Sequence, residues 1–166
     1  LNIKTDKRYL ESESAPVGTE IVRQNLGKVF EESDGAVVYK GEKNGLHTRV
    51  FITGKGLPTY EAKDLGLTEL KNRDYPGAAR SIIITANEQA EYFKVMLAAL
   101  AEINPDVAHK TTHLTHGFVS LSTGKMSSRT GDVYSAVSLL LDVEGVAKKL
   151  FPNASHDTQI GAIKYA

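Results

Sequence analysis

Residues 80–86, RSIIITA, constrain this chain more than any other stretch. A short apolar run with Pro76 and Gly77 upstream reads as a strand buried on both faces, as in a parallel sheet. Residues 88–103 (EQAEYFKVMLAALAEI) then carry helical periodicity, ended by Asn104-Pro105. Residues 113–121 (HLTHGFVSL) read as a second strand. Strand, helix, strand is the unit of a doubly wound α/β sheet, whose ligands gather beyond the carboxyl ends of the strands. A polar, glycine-rich loop follows at 122–132, and a helical region spans about 135–165 with a break near Phe151-Pro152-Asn153.

The upstream third has a different character. After a charged stretch at 6–14, Val17, Ile21, Val22, Leu26 and Val29 recur at helical spacing between Pro16 and Phe30. Residues 36–39 (AVVY) and 49–53 (RVFIT) form a hairpin pattern across a polar loop with Gly41, Asn44 and Gly45. A turn at Gly54-Lys55-Gly56 leads to a helix over 59–71, with Thr59 as its expected N-cap. The expected division is residues 1–54, helix plus hairpin, and residues 55–166, the α/β part.

The 166 residues suffice for one domain core. Lys plus Arg and Asp plus Glu are both 20, so the formal net charge is zero. That balance argues against a free-standing nucleic-acid-binding module, while leaving room for a local basic patch. Without cysteine there is no disulfide framework and no thiolate metal site. No apolar run reaches membrane-spanning length, and no signal peptide is visible. The chain begins at Leu1 and stops at Ala166 within a helical pattern, so a fragment is expected.

Two places carry chemistry. The loop Ser122-Thr123-Gly124-Lys125-Met126-Ser127-Ser128-Arg129-Thr130-Gly131-Asp132 offers two cations and several hydroxyls between glycines, a composition suited to polyphosphate. On the helix at 59–71, Tyr60 and Asp64 lie at i and i+4 and share one face, where a carboxylate and a ring can receive a guanidinium. His113 and His116 are three apart in a strand, point to opposite faces, and are not expected to share a metal.

Read as strings, these places resemble the arginyl-tRNA synthetases. Lys125-Met126-Ser127-Ser128-Arg129 after a strand is similar to the KMSKS signature of class I aminoacyl-tRNA synthetases, with Ser128 where the second lysine usually stands. Leu57-Pro58-Thr59-Tyr60-Glu61-Ala62-Lys63-Asp64 resembles the arginyl family's Pro-Thr-Tyr-x-x-x-Asp stretch. The likeness runs nearly end to end, from Tyr9–Glu13 and Glu32–Ala36 to Ile160–Ala166. It implies the later half of a Rossmann-like nucleotide-binding domain, preceded by part of an inserted helix–hairpin region. The missing parts would be a His-x-Gly-His half upstream and an anticodon-binding domain downstream.

The resemblance also implies roles. Tyr60 and Asp64 would hold the arginine side chain, and Gln89 would position it. His116, Gly117, Phe118 and Val119 would frame the adenine of ATP. Lys125, next to Met126, would stabilise the pyrophosphate leaving group, and Ser127 and Ser128 would steady the loop. Tyr92-Phe93 stands where the family often has His-Phe. The implied parent is a cytoplasmic, monomeric, non-membrane ligase that uses ATP with Mg²⁺, arginine and tRNA(Arg), while the piece alone would be inactive. Two rivals stay open: another class I synthetase, and a non-catalytic paralogue or binding fragment.

Overall fold

A computed structural model describes residues 4–117 and 135–165. The chain divides into two units, residues 6–118 and residues 1–5 with 119–166. It is a mixed α/β protein with two small sheets.

The first helix, α1 (Glu11–Gln24), starts earlier than the periodicity predicts. The Leu10 amide donates to the Glu13 carboxylate (2.6 Å), and Glu11 and Glu13 place negative charge at the positive end of the helix. Pro16 therefore lies inside α1 rather than opening it. The helix also ends before Phe30. The Asn25 amide donates to the Ile21 carbonyl (2.8 Å), and Gly27 at φ 77° lets the chain double back.

Asp34 (φ 49°) and Gly35 (φ 76°) then form a two-residue turn that joins β1 (Glu31–Ser33) to β2 (Ala36–Tyr39). With β3 (Arg49–Ile52) these make a three-stranded antiparallel sheet, one strand more than the hairpin expected. Its inner face supplies Tyr39 and Phe51 to the core, where Phe30, just before β1, joins them with its ring 4.8 Å from that of Phe51.

Helix α2 (Tyr60–Asp74) follows Thr59 as expected, but the Thr59 hydroxyl donates to the Val50 carbonyl (2.8 Å) instead of capping the helix. This bond ties the start of α2 to β3. Glycines set how closely α1 and α2 cross. A Cβ on Gly18 would lie 1.8 Å from the Ala62 carbonyl oxygen, and one on Gly66 would lie 2.1 Å from that of Ser14. No other residue fits there without moving a helix.

The strand–helix–strand reading holds for β4 (Ser81–Ala86) and β5 (Thr111–His116), which pair in parallel from Ser81–Thr111 to Ala86–His116. A turn at Asn87–Gln89, α3 (Ala90–Ile103) and α4 (Pro105–Lys110) connect them. Asn104 ends α3 and also caps α4, accepting from the Val107 amide (3.2 Å). Ile83 packs toward the core, and His113 stacks on Phe93 at 4.1 Å. The opposite face is open among the described residues: Ile82 is 55% exposed and Ile84 66%. The expected burial on both faces is thus met on one. The last strand was expected to run to 121; it ends at His116, and 118–121 lie outside the described residues.

In the other unit, α5 (Ala136–Leu150) and α6 (His156–Tyr165) flank the predicted break at Pro152. Ser135 caps α5 by accepting from the Ser138 amide (3.0 Å).

Candidate functional site

The N-terminal parts of α2 and α3 bring together Asp64, which sequence reasoning singled out, and Tyr92, to which it gave no role. Asp64, on α2, is half-buried, and its carboxylate accepts a hydrogen bond from the hydroxyl of Tyr92, on α3. Tyr92 is only 7% exposed. Its ring meets Phe93 edge-on at 4.6 Å, and Phe93 in turn stacks on His113. The aromatic row therefore locks the phenol whose hydroxyl aims Asp64. Arg49, from β3, lies with its guanidinium 5.9 Å from the Tyr92 ring centroid and pairs with the buried Glu61 (3.1 Å). That pair fixes the start of α2 against β3.

Asp64 itself has no ion pair within 4.0 Å among the described residues. Burial pushes its carboxyl above the usual aspartate range, outweighing the Tyr92 hydrogen bond and the Lys71 charge that pull it down. Burial likewise drives the Tyr92 phenol far up, so it stays a proton donor at any physiological pH. The result is a carboxylate of fixed orientation that no cation touches among the described residues. Such a group favours a cation able to donate two parallel hydrogen bonds.

The other expected pocket residues stand differently. Tyr60, the first residue of α2, is 70% exposed, and its ring carries Lys63 at 5.0 Å. Tyr60 and Asp64 thus share a helix face by spacing but have different partners. Gln89 is exposed at the entry to α3, beyond the carboxyl end of β4. His116 closes β5 at the same strand end, registered with Ala86, and its Nδ1 lies 2.7 Å from the Gly117 carbonyl oxygen. Both His116 and Gly117 are exposed. His113 faces the other way, with Nε2 2.8 Å from the Thr85 hydroxyl, and burial lowers its pKa. Phe118, Val119, Lys125, Met126, Ser127 and Ser128 lie outside the described residues.

The residue missed by the sequence is Tyr92. It was noted only as a departure from His-Phe. Its signal was available: the i+3 position after Gln89, on the apolar face of a helix that follows a strand end, in a side chain with a polar tip.

No family model matches the chain. Curated relatives do. An arginine–tRNA ligase of Amoebophilus asiaticus is 30% identical over 99% of this chain, and one of Flavobacterium psychrophilum is 32% identical over 90%. This chain spans 30% and 25% of those two proteins. Among solved structures, the arginyl-tRNA synthetase of Thermus thermophilus matches with a TM-score of 0.63 over 90% of the chain and 32% of its own length. That of Plasmodium falciparum matches with 0.68 over 99% and 29%. Both are 20% identical, so they support the fold. Along nearly its whole length, this chain is a relative of the arginine–tRNA ligases, corresponding to less than a third of such a protein.

Proposed function

We propose that this chain is the arginine-recognising part of an arginine–tRNA ligase, and belongs to the later half of a Rossmann-like catalytic domain. One observation carries the reading: Asp64 is a half-buried carboxylate, held by Tyr92, with no cation of its own. The guanidinium of arginine supplies what it lacks. Tyr60 closes over the side chain from the helix start, and Gln89 orients it from the end of β4. His116, Gly117, Phe118 and Val119 frame adenine.

In the parent enzyme, an oxygen of the arginine carboxylate attacks the α-phosphorus of ATP. The bond to pyrophosphate breaks as arginyl-adenylate forms. The 3′ end of tRNA(Arg) then takes the arginyl group, and AMP leaves. Lys125, beside Met126, neutralises charge building on the phosphates, and Ser127 and Ser128 hold the loop. Positioning and electrostatics do this work, with no covalent protein intermediate. In this reading Mg²⁺ comes with the ATP phosphates. No described helix is long and apolar enough to cross a membrane. By its likeness to the arginine–tRNA ligases, we assign the parent to the cytoplasm.

The test is arginine-dependent ATP–pyrophosphate exchange by the protein that carries this chain. We expect exchange with arginine, no exchange with citrulline, and a large loss in Lys125→Ala with arginine binding retained. Arginine binding without exchange, in a protein that also has the upstream half, would move the assignment to a non-catalytic arginine-binding paralogue.

A further inference from the structure

The far end of α2 carries a feature that does not depend on the arginine assignment. Lys71, Arg80 and Lys110 line one pocket of about 180 Å³. It sits where the parallel pair begins, with Ser81 and Thr111 in register, at the opposite strand end from Gln89 and His116. No carboxylate lines it. Among the described residues none of the three cations has an ion pair within 4.0 Å. Lys71 is half-buried, and burial holds its ammonium below the usual lysine range against the pull of Asp64.

The neutral donors sort themselves. The Thr68 and Thr111 hydroxyls are already spent on the Asp64 and Val107 carbonyls, at 2.8 and 2.7 Å. Asn72, Tyr75 and Ser81 also line the pocket and make no side-chain hydrogen bond among the described residues. Three cations and three unspent donors therefore face a space that no carboxylate lines, and Asp64 acts on Lys71 only from outside it. Leaving the Lys71 charge half-desolvated is unfavourable, and an anion shared with Arg80 and Lys110 relieves it.

Size and charge narrow the ligand. The volume falls below the roughly 300–1,000 Å³ of sites for whole small molecules, yet exceeds the about 30 Å³ a single water occupies. A carboxylate brings one charge and two oxygens. A phosphoryl group brings more of both, which suits three cations and three further donors. We propose that this pocket is a phosphate-binding site in which Lys71, Arg80 and Lys110 hold a phosphoryl group with help from Asn72, Tyr75 and Ser81. The group can arrive on a small phosphorylated molecule or as a diester in an RNA backbone.

The experiment is calorimetric titration of the protein with inorganic phosphate at constant ionic strength, then with a short oligoribonucleotide carrying only diester phosphates. We expect saturable phosphate binding that Lys71→Met, Arg80→Gln and Lys110→Gln each weaken by about tenfold. Lys94→Gln, at an exposed pair on α3, serves as the control and leaves binding unchanged. Arg80 is exposed, so its substitution keeps the test meaningful even where Lys71→Met disturbs α2. Phosphate binding alone assigns the site to a phosphorylated small molecule. Oligoribonucleotide binding that the same three substitutions weaken assigns it to a backbone phosphate. Binding of either probe that survives all three substitutions overturns the proposal, as does binding of neither.

Discussion

The Tyr39–Glu102 pair and the Tyr92–Asp64 pair are built from the same parts and end in opposite electrical states. In each, a buried tyrosine donates to a carboxylate on a neighbouring element, and a cation lies over the ring. At Glu102 that cation also reaches the carboxylate: Lys43 Nζ is 2.6 Å from it and 5.4 Å from the Tyr39 ring. Burial pushes Glu102 up, but the hydrogen bonds from Lys43 and Tyr39 outweigh it and leave the group below the usual range. Tyr9, Asp74 and Lys7 repeat this complete arrangement at the surface. At Asp64 the equivalent cation, Arg49, is held by Glu61 instead, and the carboxyl stays raised. A complete triad is a structural clamp. An incomplete one is, in the function proposed above, a receptor for the missing charge.

The largest way to break the comparison is to move the element that carries Asp64. Gly66→Ala puts a methyl group into the Ser14 carbonyl and separates α1 from α2. We expect a loss of about 3 kcal/mol in chemical denaturation, and weakened arginine binding with it. A change below 0.5 kcal/mol, within the range of ordinary surface substitutions, would mean that the helix crossing adapts freely.

Next, Asp64→Asn should weaken arginine by about thirtyfold, some 2 kcal/mol, while Glu102→Gln leaves arginine affinity unchanged. Equal effects from the two substitutions would erase the distinction between clamp and receptor. Tyr92→Phe sharpens it further. The carboxylate remains, but its orientation and one hydrogen bond go, so arginine should weaken about fivefold, some 1 kcal/mol. The Asp64 carboxyl should titrate still higher by NMR, because a bond to its charged form is lost. An unchanged titration would contradict that role.

The smallest effect is in acid, and the two pairs should respond with opposite sign. Glu102 has a lowered folded-state pKa, so its contribution is present above the unfolded pKa and is lost as pH falls through the folded one. Asp64 has a raised pKa, so its ionisation opposes folding, and acidification through that raised pKa relieves the penalty. Stability-against-pH profiles of Glu102→Gln and Asp64→Asn should therefore diverge from the parent in opposite directions. Parallel profiles would count against the electrostatic contrast.

Much of this was legible in the residues. The β4–α3–β5 unit was, because a run of isoleucines and a long periodic helix leave few alternatives. The limits of α1 were not. Its apolar spacing continues past Gln24, but Gly27 and the Asn25 side chain stop the helix, a local backbone event that periodicity does not register. Residue pattern alone missed β1 because three polar residues carry no alternation; the Asp34-Gly35 turn creates it, within the Glu32–Ala36 stretch that the resemblance matched to a hairpin. Asp64 was singled out from the sequence, and its hydrogen-bond partner was not. Spacing pairs neighbours on one helix, whereas Tyr92 reaches Asp64 from a second helix through tertiary packing.

The central claim is that Asp64 awaits a guanidinium. It is tested most directly by calorimetry of arginine against citrulline, its neutral isostere, on the parent chain and on Asp64→Asn. Saturable binding of arginine, none of citrulline, and loss of the arginine signal in Asp64→Asn is the predicted result. Indistinguishable binding of the two amino acids, or arginine binding that Asp64→Asn leaves intact, would contradict it.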